Sequence, residues 1–314
     1  MVCAAATFAL IFAGGLVTST GSALAVPDWP LAFGKLVPPL RGGIRFEWGH
    51  RVVAGAVSIL TLLLALWSWW QEPRRWVRCT ALAALGLIIL QAVLGGLTVL
   101  MLLPLSLAVA HAAKAQAFFC LMISMALFTS QGFASTAEIR EAGRPPGRPP
   151  LFTLSATTTF AVYAQILIGA VVRHLGAGLA IPDFPTSYGR LVPPFYSFAV
   201  GVNFAHRCGA LTVTILVCWT FARVMRFYSA ERHLRHDAIL MVGLLFLQLT
   251  LGALTVWSGR AVLPTTSHVA IGAAVLGASL ALTIRAFELR LRNASTRIAS
   301  DTSTIDAMRA QVSA

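Results

Sequence analysis

Apolar residues run along this chain in long unbroken blocks, not in an amphipathic rhythm. Eight blocks reach the roughly 20 residues that a helix needs to cross a bilayer. They are Val2–Ala23, Glu47–Trp70, Val77–Leu100, Leu105–Thr129, Leu151–His174, Asn203–Phe227, Ala238–Trp257 and Pro264–Phe287. Polar and charged residues are confined to the connections. The pattern predicts an all-α membrane protein with eight transmembrane helices. Beyond the last block, Asn293–Ala314 is polar and reads as a loose tail.

Arginines orient the spans. Arg74, Arg75 and Arg78 follow the second block. Arg140, Arg144 and Arg148 follow the fourth, Arg223, Arg226, Arg232 and Arg235 the sixth, and Arg285, Arg290, Arg292 and Arg297 the eighth. All four clusters fall on one side, which the positive-inside rule makes cytoplasmic, so both termini are expected there. The first block lacks a basic n-region and a cleavage site and reads as a span, not a signal peptide, which favours a bacterial plasma membrane.

The chain repeats itself. Ala25-Val-Pro-Asp-Trp-Pro-Leu-Ala-Phe-Gly-Lys-Leu-Val-Pro-Pro39 recurs as Ala180-Ile-Pro-Asp-Phe-Pro-Thr-Ser-Tyr-Gly-Arg-Leu-Val-Pro-Pro194, an offset of 155. His50-Arg51 recurs as His206-Arg207 at 156. Gln91-Ala-Val-Leu-Gly-Gly-Leu-Thr-Val99 recurs as Gln248-Leu-Thr-Leu-Gly-Ala-Leu-Thr-Val256, and His111 as His268, both at 157. Four spans per copy is an even number, so the repeat is parallel, and the expected architecture is two pseudo-symmetric four-helix bundles. The predicted boundaries are an N-terminal half 1–130, a cytoplasmic linker 131–150, a C-terminal half 151–292 and a tail 293–314.

Composition agrees with this picture. The chain of 314 residues is 57% hydrophobic and 11% charged, against about 25% charged in soluble domains. The net charge of +13 sits in short clusters between apolar blocks. That suits membrane topology and speaks against nucleic-acid binding. The five cysteines (Cys3, Cys79, Cys120, Cys208, Cys218) form no ligand spacing, so neither a zinc site nor a disulfide framework is indicated.

Four of the seven histidines survive the repeat: His50, His111, His206 and His268. His50 and His206 begin spans two and six, and His111 and His268 lie early in spans four and eight. All four spans enter from the outer face, so each half offers two imidazoles on alternate helices. Zinc asks for three or four protein ligands. A haem asks for two axial ligands, and an apolar bundle suits a porphyrin. One haem pocket per half follows. His174 reads as solvated or loop-bonded, and His233 and His236 as solvated. Arg51, Arg207, Arg41 and Arg45 are candidate partners for haem propionates; Lys114 is an unusual charge within a span, with a propionate or Glu47 as its expected partner. Gln91, Gln165 and Gln248 read as helix–helix hydrogen bonders. Asp28 and Asp183 are expected to bond nearby backbone amides in loops that cap the pockets. One asymmetry stands out. Glu47, at the mouth of an apolar run, corresponds to Asn203. A carboxylate beside one pocket alone suggests that this pocket does chemistry and the other holds a cofactor.

Thr20-Gly-Ser, Pro27-Asp-Trp-Pro30, Glu47-Trp-Gly-His50-Arg51, His111, Asn203-Phe-Ala-His206-Arg207 and His268 together resemble the haem A synthase family, over nearly all eight spans. The resemblance implies an enzyme that oxidises a methyl group of haem O to a formyl, giving haem A for terminal oxidases. It implies a substrate haem pocket near His50 and His111, a resident haem b held by His206 and His268, and Glu47 at the family's acidic position. Two hydroxylations of the methyl would give a gem-diol that loses water. Haem O synthase and a terminal oxidase are the expected partners beside haem and lipid, and self-association is left open. Many members carry a cysteine pair in the first outer loop; here those positions are Val26 and Ala32. The alternatives are a bis-histidine dihaem electron-transfer cytochrome and a transporter. A transporter would gather its polar groups near the midplane, which these histidines avoid.

Overall fold

Each apolar block folds into a helix because, in lipid, the backbone must satisfy its own hydrogen bonds. The computed structural model describes residues 1–130 and 149–312, with 291–312 as backbone. Among these residues the helices are α1 (Val2–Ser19), α2 (Ile44–Gln71), α3 (Arg75–Leu100), α4 (Leu105–Phe128), α5 (Leu151–His174), α6 (Phe198–Phe227), α7 (Arg232–Trp257) and α8 (Val262–Val312). All eight are long and apolar enough to cross a membrane. Large apolar side chains such as Ile59, Phe160 and Phe246 lie exposed on the helix surfaces. Water would reject that arrangement and lipid accepts it.

The helix ends differ from the hydropathic blocks where capping outweighs hydropathy. α1 stops at Ser19, ahead of a left-handed Gly21 (φ 66°). α6 begins at Phe198, where the Ser197 hydroxyl caps the Val200 amide at 3.3 Å. α7 begins at Arg232, taking a polar turn into the helix. The tail expected to be loose instead continues α8 to Val312. The expected linker lies outside the described residues apart from Pro149 and Pro150; the Pro149 carbonyl accepts from the Arg223 guanidinium of α6 at 2.9 Å.

Helices α1 to α4 close one ring of neighbours and α5 to α8 close another. The rings meet where α8 packs on α1 and α4, and α5 on α4. α8 is the most enclosed span. Hydroxyls bind the second ring internally: Thr158 bonds Thr220, and Thr159 bonds both Ser279 and Thr283, all at 2.8–2.9 Å. At the end opposite the long loops, the buried Asp237 pairs with Arg285 at 2.8 Å, with the exposed His236 beside it. Arg285 also donates to the His233 carbonyl.

The two long loops, α1–α2 and α5–α6, share one construction. Ala32 bridges Lys35, and Ser187 bridges Arg190, across a two-residue turn. Its central residues, Phe33-Gly34 and Tyr188-Gly189, are all left-handed. Two positive φ angles define a type I′ turn, and glycine at its second position avoids the Cβ penalty. The carboxylate inside each turn is Asp28 or Asp183, as expected. Asp28 accepts the Gly34 and Phe33 amides at 2.9 and 2.7 Å. Asp183 accepts the Gly189 and Tyr188 amides and the Thr186 hydroxyl. These donors hold both carboxyls below the usual range, with the glycine amide the largest cause in each.

Candidate functional site

A cavity of about 440 Å³ opens inside the first ring, a size typical of small-ligand pockets. Its walls are mostly apolar and rich in small residues: Gly14, Gly15, Ala54, Gly55, Ala92, Gly95, Ala108, Ala112 and Ala115. His50 of α2 and His111 of α4 both face it, as do Glu47 and Arg51, with Trp29 and Pro30 of the loop closing the mouth.

Each of the four repeated histidines sits on a glycine of the preceding helix. A methyl at Gly14 would lie 3.1 Å from His50 Cε1, and one at Gly95 3.1 Å from His111 Cε1. A methyl at Gly169 would lie 3.0 Å from His206 Cε1, and one at Gly252 3.0 Å from His268 Cε1. The imidazole edge thus fills the space that any larger residue would take. Of the four seats, Gly95 and Gly252 belong to a repeated motif visible in the sequence. Gly14 and Gly169, 155 apart, carry no signal beyond being glycines in apolar runs.

The rings differ in their second contacts. Nδ1 of His50 and of His111 is buried without a hydrogen-bond partner. Nδ1 of His268 lies 3.1 Å from the Gln248 carbonyl, an arrangement that requires the proton on Nδ1. Nδ1 of His206 lies 3.0 Å from the Gln165 amide nitrogen, which also donates to the His206 carbonyl at 2.7 Å. Gln91 makes the expected helix–helix bond, donating to the His111 carbonyl at 2.9 Å. Gln248 instead turns its amide toward His268 Nε2, at 3.4 Å.

Glu47 is 4% exposed. Its Oε2 accepts the Val26 amide at 2.8 Å, and its Oε1 pairs with Arg51 at 2.8 Å. Arg51 also donates to the carbonyls of Val26, Asp28 and Leu31. Asn203 occupies the same junction in the second half. It accepts from Arg207 Nε at 3.0 Å and donates to the Ala177 carbonyl at 2.8 Å, while Arg207 donates to Ile181 and Thr186. Both arginines therefore fasten loops to helices. The partner of Glu47 is Arg51, not Lys114, and Lys114 does not line the cavity. Arg41 and Arg45 lie exposed at the start of α2, with Arg45 stacked 4.7 Å over Phe46.

Three cavity residues come from the other ring, one of them Val269 of α8. Arg173 and His174, in the last turn of α5, line the first-half cavity. His174 thus faces the cavity, where the sequence suggested solvent or loop. Contacts between halves leave no periodic trace in a sequence.

Trp29 lies against Gly96 of α3. A methyl at Gly96 would fall 2.5–2.8 Å from its indole ring. The second half has Phe184 and Ala253 at these positions; the ring shrinks where the methyl appears. Gly96→Ala is accordingly expected to lower thermal stability by about 1–3 kcal/mol through overpacking, despite the better helix propensity of alanine. Combining it with Trp29→Phe should restore most of the loss, read from the unfolding midpoints of both variants.

Fold and site define a class: a multi-pass membrane protein with paired histidines set around an apolar cavity. Residues 44–280 match the COX15-CtaA family, described as cytochrome oxidase assembly protein, and the chain belongs to that family. A heme A synthase of Symbiobacterium thermophilum is 32% identical over 248 residues, covering 77% of this chain and 79% of that protein. A heme A synthase of Halalkalibacterium halodurans is 32% identical over 276 residues, covering 83% and 87%.

Proposed function

We propose that the protein is a haem A synthase, oxidising the methyl group of haem O to a formyl. The observation that carries the reading is a paired site with one asymmetry. Four histidines, each seated on a glycine, recur in two halves, and a buried carboxylate accompanies only the first. The names of the relatives agree. In this reading haem O occupies the cavity between His50 and His111, with Glu47 in its wall. Haem b, held by His206 and His268, supplies one-electron chemistry when bound.

The donor sets fit an iron porphyrin. A metal-bound imidazole uses one nitrogen for the metal and directs the other to an orienting acceptor. His268 has that form at Nδ1, which faces the Gln248 carbonyl; its Nε2, now 3.4 Å from the Gln248 side-chain amide, would hold iron once that amide gave way. At His206, ligation through Nε2 places the proton on Nδ1. At that Nδ1 the neighbouring group is the Gln165 side-chain amide, which is held by its bond to the His206 carbonyl, so the two second-half histidines differ in what orients them. In the first half the imidazoles are held by their glycine seats, with no such acceptor at Nδ1, which suits a site that must release its product.

The halves 1–130 and 151–292 form a pseudo-two-fold pair in this reading. Exchanging α1–α4 with α5–α8 maps the set of neighbouring helices onto itself, which supports it. The arginine clusters near the ends of α2, α6 and α8 support cytoplasmic termini, and the bacterial relatives a plasma-membrane location. Glu47 would take up a proton released as electrons are withdrawn from the substrate methyl, or stabilise positive charge developing there. The test is to purify the protein, extract its haem and chromatograph it. Haem O and haem A beside haem b are expected. Haem b alone would overturn the reading in favour of an electron-transfer cytochrome.

A further inference from the structure

Arg173 is a charge in an unexpected place. It belongs to α5 of the second half, yet its guanidinium reaches α1 of the first, where Nη2 donates to the Gly15 carbonyl and lies 3.4 Å from Ser19 Oγ. Both partners are neutral. Among the described residues Arg173 pairs with no carboxylate, and its Nε and Nη1 make no hydrogen bond. The repeat offers no counterpart, since the equivalent position in α1 is Thr18.

The other guanidinium on the same cavity differs. Arg51 is neutralised by Glu47, and its two terminal nitrogens are committed to that carboxylate and to three loop carbonyls. Arg173 is therefore the uncompensated positive charge on the cavity wall. A charge set in a mostly apolar cavity wall is costly without a counter-ion, and a guanidinium fork matches a carboxylate in geometry.

We propose that Arg173 is the docking point for a carboxylate of the tetrapyrrole substrate in the first-half cavity, so that the second half completes the site of the first. The proposal rests on the reading of that cavity as the haem O pocket. Anchoring one edge of a flat ring by its acid group fixes the ring's rotation in its own plane. That rotation selects which methyl group meets Glu47, so Arg173 acts as a positioning residue for regiochemistry.

The experiment titrates the purified protein, with haem b in place, against haem O and against haem O dimethyl ester, in which both acid groups are blocked. Soret difference spectra give the two affinities. The wild type should bind the free acid at least about 10-fold more tightly, the scale of one charge-assisted bond. Arg173→Gln, which can still donate to the Gly15 carbonyl, should bring the ratio close to one, whereas Arg173→Lys should keep part of it. An unchanged ratio in Arg173→Gln, or equal binding of acid and ester by the wild type, overturns the proposal while leaving the pocket. Failure of the wild type to bind either form overturns the pocket reading itself. The haem b spectrum reports in the same sample that each variant is folded.

Discussion

Glu47→Gln should lower haem A formation by at least about 100-fold, the low end of what one acid–base group contributes, while the resident haem stays near the wild-type amount. The amide is close in size to the carboxylate. The second half also shows that an amide fits such a junction, because Asn203 accepts from Arg207 and donates to the loop. In the first half the loop presents the Val26 amide instead of a carbonyl. The glutamine NH₂ then faces a donor, at a cost of about 1–3 kcal/mol. That strains the loop without unfolding the protein. Glu47→Ala is the less informative change. It strands Arg51 and frees the loop, at a cost on the order of 3 kcal/mol for a broken buried pair, so lost activity would have two causes. Haem A yield from Glu47→Gln within a few-fold of wild type would remove the carboxylate from the chemistry and leave it a loop fastener.

His206→Ala and His268→Ala should each lower affinity for the resident haem by at least about 100-fold, since loss of an outer-sphere partner alone costs 10–100-fold. His50→Ala and His111→Ala should keep that haem and lose turnover. Reduced-minus-oxidised spectra and haem content of the four purified variants separate the cases. If the first-half variants lose the resident haem and the second-half variants retain it, the assignments of the two pockets are exchanged. Equal loss in all four would mean that one haem is shared, against the proposed division.

Much of this was legible in the sequence because it depends on order along the chain. Apolar blocks gave all eight helices, and the loop motif gave the matched turns around Asp28 and Asp183. The recurrence of His50, His111, His206 and His268 singled out the residues that the structure sets on four glycines. What escaped depends on neighbours distant in the chain. Gly14 and Gly169 become seats only when a second helix brings an imidazole to them. Arg173 and His174 look like an ordinary helix end until α5 meets α1. Arg51 and Arg207 read in the sequence as propionate partners, but their donors settle on loop carbonyls that only a folded turn presents. The end of α8 shows the opposite error: polar composition suggested a loose tail where the helix continues to Val312.

The paired positions Trp29–Gly96 and Phe184–Ala253 also bear on how two copies of one ancestral unit could drift apart. Indole against alanine collides, whereas phenyl against glycine leaves only a gap. A lineage passing from either pair to the other, one substitution at a time, meets less strain through Phe–Gly than through Trp–Ala. The favoured order follows in each direction: loss of the methyl before growth of the ring, and shrinkage of the ring before return of the methyl.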